Sequence, residues 1–238
     1  MTWSIIAREP ETGLIGIAVA TCAFAVGSRV PFIETGIGAI ASQAFVNPFY
    51  GPKGLALLRA GADAETTVAI LTAADAGRSQ RQMHVMDGNG LSAAYTGADC
   101  VPWCGHLIED RFSVAGNMLA CSGVIEETAR SFTQSIGEPL ARRFLKAMRA
   151  GEAAGGDKRG RQSAAMLIHD GEDYALLDIR VDDHPDPLAE LARLETVSHE
   201  RSLHYRKCMP NRANPAGITD RAEIERMIAA SVAASVRA

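Results

Sequence analysis

The opening stretch MTWSIIAREP places a threonine at position 2. Thr is small enough there to permit removal of Met1, and Thr2 would then be the first residue. A chain-end α-amine has a pKa of about 8, so part of it is neutral at physiological pH. It lies within reach of the residue's own hydroxyl, directly or through a water. An N-terminal threonine thus carries nucleophile and general base in one residue. The attack also needs an oxyanion hole and a positive charge to hold the amine neutral. The competing reading is that Thr2 simply begins the first strand of an ordinary domain.

Other residues could do chemistry. Gly155-Gly156-Asp157-Lys158-Arg159-Gly160-Arg161-Gln162-Ser163 is the densest polar cluster of the chain. Such a loop can set Arg159 against a carboxylate or Asp157 against a cation. It lacks the G-x4-G-K-[ST] order of a Walker A loop. A solvated surface loop is the plain alternative. In SQAFVNPFYGPKG, residues 42–54, Gln43, Asn47 and Tyr50 suit substrate orientation, although Asn47-Pro48 and Gly51-Pro52 are also turn signals. Asn117, in the strand-like run around Gly116, could serve an oxyanion hole or tie down a bulge. His106 is a candidate base or a structural histidine. Cys100 and Cys104 have C-x3-C spacing close to His106, but no second Cys/His pair stands at matching spacing, so no metal is expected. Asp182, Asp183, His184 and Asp186 read better as a strand end and helix cap than as ligands. No G-x-S-x-G elbow is present.

These residues need elements to hold them. Thr2–Ala7 and Leu14–Thr21 read as strands joined by the turn Glu9–Gly13, an initial hairpin. Ile37–Gln43 reads as a third strand. Helical spacing runs over Lys53–Arg59 and Ala64–Ala74, with Asp63 as N-cap of the second. Arg81–Met86, then Asp87-Gly88-Asn89-Gly90, then Leu91–Thr96 is a second hairpin. Phe112–Leu119 is a strand, and Val124–Ser135 and Pro139–Ala150 are helices. Ala164–His169 and Tyr174–Val181 are strands, followed by helices over 188–206 and 219–236. The order predicts an α+β protein of hairpin-built antiparallel sheets with helices packed outside. Two stacked sheets between helix layers would explain strands that are apolar throughout.

The totals agree with a soluble enzyme-sized domain. The chain has 238 residues, 47% of them hydrophobic and 22% charged, with a net charge of −4. No basic footprint for nucleic acid exists, so no nucleic-acid partner is expected. No apolar run approaches the ~18 residues that span a bilayer. No signal-peptide pattern stands at the start, so a cytoplasmic protein without membrane attachment is expected. Five scattered cysteines suit reduced thiols. Ala-rich helices carrying Met148, Met227 and Ile228 could pack on a second copy, giving a homo-oligomer, or could simply fill a core.

Six segments occur in one order: TWSIIAREPETGLIGIAVAT, SQAFVNPFYGPKGLALL, TGADCVPWCGH, FSVAGNML, EAAGGDKRGRQSAAML and DIRVDDHPDP. Together they resemble the bacterial family called domain of unknown function 1028, over nearly all of residues 1–194. That family is grouped with the N-terminal nucleophile (Ntn) hydrolases. The resemblance implies a four-layer αββα sandwich of two antiparallel sheets flanked by helices, with residues 195–238 a helical extension packed on it. It implies an amidohydrolase with Thr2 as nucleophile, acting on a small amide or ureido substrate without a cofactor. A small-ligand-binding or scaffold protein on the same fold is the alternative. By the same resemblance Thr2, Asn117 and Asp157 form the catalytic set, with Asn117 or backbone amides near Gly116 at the oxyanion. Thr21, Gln43, Asn47, Arg159, Gln162 and Ser163 line the substrate site. The chain has no lysine before Lys53, a departure from the lysine-assisted proteasome pattern.

Overall fold

The structure is a computed structural model that describes residues 2–235. It divides into two compact units, Met1–Leu191 and Ala192–Ala238. Among the described residues, the first unit holds ten strands. β1 (Thr2–Arg8) and β2 (Ile15–Thr21) form the expected hairpin, closed by Glu9 N–H donating to Leu14 O at 2.8 Å. β3 (Pro31–Glu34) and β4 (Gly38–Ala44) follow, then α1 (Tyr50–Arg59) and α2 (Ala64–Ala73). Asp63 caps α2 as expected, accepting from Thr66 N–H at 2.7 Å. β5 (Arg81–Asp87) and β6 (Ser92–Thr96) form the second hairpin. Its turn is held by Asp87 Oδ1, which accepts from Asn89 N–H and Leu91 N–H. β7 (Gly105–Glu109), β8 (Phe112–Asn117), α3 (Gly123–Gln134), α4 (Leu140–Ala153), β9 (Ser163–His169) and β10 (Leu177–Val181) complete the order.

All strand pairs are antiparallel. One sheet runs β10-β9-β2-β1-β8-β7 and the other β3-β4-β5-β6. α1 and α2 lie against β4, β5 and β6, while α3 and α4 lie against β2, β8 and β9. The sheets face each other through β1, β2, β5 and β8. The expected αββα sandwich is therefore the architecture. Both faces of the central strands are covered, so β2 is buried at all seven positions.

Each interlayer has its own character. Ile40, Leu58, Val68, Leu71, Met83 and Val85 pack between the smaller sheet and its helices. Phe112, Phe132 and Phe144 pack in series over the larger sheet, the first pair tilted and the second stacked, with ring centroids 5.0 and 5.6 Å apart. Between the sheets, Ile6, Ile15, Ile17, Val19, Ala39, Ala41 and Met86 form one apolar cluster. Beside them the same layer turns polar: Ser4, Gln43, Gln82, His84, Ser113 and Asn117 are all buried.

Trp3 turns away from that layer, toward α3 and α4. Gly151 of α4 makes room for it. A Cβ at Gly151 would overlap Thr128 Oγ1 of α3 and stand 3.0 Å from Trp3 Nε1. Gly151→Ala is expected to lower stability by roughly 1–3 kcal/mol, the usual range for overpacking. Urea unfolding checks this; a midpoint equal to wild type would mean that the helices separate freely.

Three elements differ from the sequence reading. β3 and β7 are additional strands, each at a sheet edge. The helix expected over 188–206 is two, α5 (Pro187–Ser198) and α6 (Ser202–Arg206). In the second unit, α7 (Arg221–Ser235) is tied to α6 by Lys207 Nζ and His204 Nδ1 on Ser231 Oγ, both within 2.8 Å. Val236, expected in that last helix, lies outside the described residues.

Candidate functional site

Register assembles the site. Thr2 stands opposite Asn117 of β8, and Ser163 of β9 stands opposite Thr21 of β2. Continuing the β1–β2 register from Trp3↔Ala20 puts Thr2 beside Thr21, and their hydroxyl oxygens are 3.2 Å apart. Ser163, Thr21, Thr2 and Asn117 thus form one polar row across four adjacent strands, on one face. Thr2 is 7% exposed.

The polar loop closes over the end of that row. Asp157 accepts from Cys22 N–H at 2.7 Å and from Arg159 N–H at 2.8 Å, while the Arg159 guanidinium pairs with it at 3.2 Å. The aspartate therefore ties the end of β2 to the loop. Gly156 takes φ 51° where the chain bends, and its carbonyl accepts from Ala120 N–H. Ser163 donates to Ala23 O at 2.6 Å and accepts from Val26 N–H at 3.1 Å, fixing the segment after Cys22. Gln162 N–H donates to Thr21 O at 3.0 Å, and its side chain reaches Asp183 at 3.1 Å.

Next to the row lies a cavity of about 110 Å³. Its walls include Trp3, Thr21, Glu152, Gly156, Asp157 and Arg161. A bound water needs ~10–15 Å³ on this measure, so the space suits a small molecule or a few waters. Arg161 bonds to Glu152 across 3.1 Å and reaches Asp186 at 3.7 Å. Burial raises the Glu152 carboxyl above its usual range, and the Arg161 charge opposes that shift. Thr2 touches this cavity through its partner Thr21 and is not one of its walls among the described residues.

The structure thus brings together Thr2, Thr21, Asn117, Asp157, Arg159, Gln162 and Ser163. It separates two expected residues from them. Asn47 lies at the start of α1 in a different hollow, where its amide donates to Asp75 at 2.9 Å. Tyr50 and Arg81 bind the same carboxylate. Burial works against ionisation of Asp75, yet the bonds from Asn47, Gly77, Tyr50 and Arg81 hold it well below the usual carboxylate range. Asn47 is a fixture of that turn. Gln43 is no wall of the cavity either, because it is buried between the sheets. Its Oε1 accepts from Ser4 at 2.8 Å, and its Nε2 donates to Gln82 Oε1 at 2.9 Å and Ala115 O at 3.1 Å.

Sequence reasoning missed Gln82, His84, Ser4 and Ser113. Gln82 Nε2 lies within 3.0 Å of Thr96 Oγ1, Gly105 O and Gly116 O, and its Oε1 accepts from Asn117 at 3.0 Å. Ser4 gives its proton to Gln43 Oε1, which can only accept. His84 Nε2, 2.8 Å from Ser4 Oγ, therefore carries the imidazole proton, and Nδ1 accepts from Ser113 Oγ at 2.8 Å. Burial pushes this imidazole down to about 3, so it is neutral. The signal available was a polar side chain at alternate positions of an otherwise apolar strand, as in RQMHVMD. Among the described residues no cluster of three His, Cys, Asp or Glu side chains could hold a metal, and all five cysteines are free.

A family model described as a family of unknown function, DUF1028, matches residues 2–191. The crystal structure of protein SPO2555 from Silicibacter pomeroyi, ascribed to the same family, superposes with TM-score 0.85 at 32% identity, covering 92% of this chain and 99% of that one. The Anbu (ancestral beta-subunit) protein of Yersinia bercovieri superposes with TM-score 0.41 at 11% identity, covering 82% and 94%. No curated protein matches the chain. No helix among the described residues is long and apolar enough to cross a membrane.

Proposed function

The chain belongs to the DUF1028 family of unknown function, and from that premise we propose that it is an amidohydrolase of the N-terminal nucleophile type. The observation that carries this reading is Thr2 itself. It heads a central strand of an αββα sandwich, hydrogen-bonded to Thr21, whose other neighbours form the wall of a small cavity. With Met1 removed, the neutral α-amine takes the proton of Thr2 Oγ1, directly or through a water. Oγ1 attacks the carbonyl carbon of a small amide or ureido substrate. The amine then returns its proton to the leaving nitrogen as the C–N bond breaks, leaving an ester on Thr2. Water, deprotonated by the same amine, hydrolyses that ester and regenerates the hydroxyl. Asp157 and Arg159 hold the loop over the row, and Asp157 binds the backbone N–H of Cys22, just past the end of β2. The cavity's size favours a substrate of few heavy atoms. Five free thiols suit a reducing compartment such as the cytoplasm.

The test is mass spectrometry of the protein expressed from its native start. The expected result is a mass short by one methionine and, after treatment with a β-lactone, a single acyl adduct mapped to Thr2. A chain that keeps Met1, or that takes no adduct with a free Thr2, would overturn the reading. The small-ligand-binding alternative would then stand, with the cavity between Glu152 and Arg161 as its site.

A further inference from the structure

Backbone carbonyls can only accept hydrogen bonds, and that fact fixes every amide in the buried layer. Gln82 Nε2 lies 3.0 Å from Gly105 O and 2.8 Å from Gly116 O. The nitrogen of Gln82 must face them, so its Oε1 must face Gln43 and Asn117. Gln43 is set in the same way by Ala115 O. Asn117 then has one orientation. Only its Nδ2 can meet Gln82 Oε1 at 3.0 Å, because the flipped amide would put oxygen against oxygen. Its second N–H points to Thr2 O at 3.4 Å. Both donors are committed, and Oδ1 is the atom left over, without a hydrogen bond among the described residues.

We infer that Asn117 offers the chain end an acceptor rather than a donor. Resting on the Thr2 reading above, its Oδ1 takes a hydrogen bond from the α-amine and turns the nitrogen lone pair toward Oγ1. Gln82 is the positioning residue, since its amide dictates which way Asn117 faces. This reverses the role expected from the sequence, an oxyanion donor. A neutral acceptor suits the task, because it orients the amine without the strong pKa rise that a carboxylate would cause.

The experiment is the rate of Thr2 acylation by a β-lactone, read by intact mass across pH 6–10, for wild type, Asn117→Ala and Gln82→Met. A hydrogen bond to an ammonium favours the protonated form, so its loss lowers the amine pKa. Both variants are expected to shift the pH midpoint downward by about half a unit or more. An oxyanion donor would behave otherwise: the rate would fall about 10²-fold or more at every pH with the midpoint unmoved. That result overturns the inference while leaving Thr2 the nucleophile. Wild type that carries a free Thr2 and takes no adduct overturns both. Should either variant fail to fold, side-chain amide exchange in the wild type decides. Two slowly exchanging Asn117 protons are expected, and a fast-exchanging proton would show a free donor and sink the idea.

Discussion

Thr2→Ala is expected to abolish acylation and turnover while the protein stays folded. In the proposed mechanism the substitution removes the atom that forms the covalent bond, and loss of a nucleophile costs more than ~10⁴-fold in rate. The structural cost is small by comparison. The bond between the Thr2 and Thr21 hydroxyls, 3.2 Å long, is worth about 1 kcal/mol. For a chain of this size that lowers the melting temperature by roughly 2–4 °C. Alanine at position 2 is as small as threonine for removal of Met1, so the variant tests the hydroxyl and not the processing. Thr2→Ser keeps a hydroxyl beside the amine and should keep the adduct. Thr21→Val is the useful control, since it removes the neighbouring hydroxyl but not that of Thr2. Adduct formation that persists in Thr2→Ala would move the chemistry to another residue.

The second large effect concerns stability. His84 is buried, neutral and bonded on both nitrogens, and burial holds its pKa at about 3. In the unfolded chain the imidazole titrates near its model value of 6.5. Between those values the unfolded state binds a proton that the folded state refuses. Stability from this group is therefore full above pH 6.5 and is lost as the pH falls toward 3, at up to about 1.4 kcal/mol per unit. His84→Leu removes that slope. It also leaves Ser113 without its acceptor and Ser4 with Gln43 alone, which should cost about 1–3 kcal/mol at neutral pH. Urea unfolding at pH 7.5 and 4.5 measures both. The variant's loss between the two conditions is expected to be smaller than that of wild type by about 2–3 kcal/mol. Equal losses would mean that other groups set the acid sensitivity.

The layered architecture could be read from the sequence because its signals are local. The β1–β2 hairpin is announced by a Pro/Gly turn between two apolar runs, and β5–β6 by Asp87-Gly88-Asn89-Gly90. β3 and β7 escaped notice for a physical reason. Both lie at sheet edges, and PFIE and GHLIE are half-exposed or exposed throughout, so neither shows the unbroken apolar run of a covered strand. α5 and α6 were merged because the break at residues 199–201 carries neither Gly nor Pro. The candidate site was partly legible. Thr2 and the GGDKRGRQSA loop stood out as polar groups beside apolar strands, and strand register then joined them. Gln82 and His84 did not stand out. Their partners, Asn117 and Ser113, are 35 and 29 residues away. Only the stacking of one sheet on the other makes such pairs neighbours. Asn47 misled in the opposite sense, since an Asn-Pro turn and a substrate ligand look alike in one dimension.

The polar seam between the sheets has a mechanical consequence. Two apolar sheets in contact form a slip plane, because dispersion contacts lose little when one layer slides a fraction of an ångström over the other. Hydrogen bonds are directional and weaken steeply with misalignment. The bonds of Ser4, Asn117 and Ser113 to Gln43, Gln82 and His84 cross that plane at the end nearest Thr2. They act as dowels. Shear is blocked where Thr2 sits, and any give in the sandwich is left to the half lined by Ile6, Ile15, Ile17 and Met86.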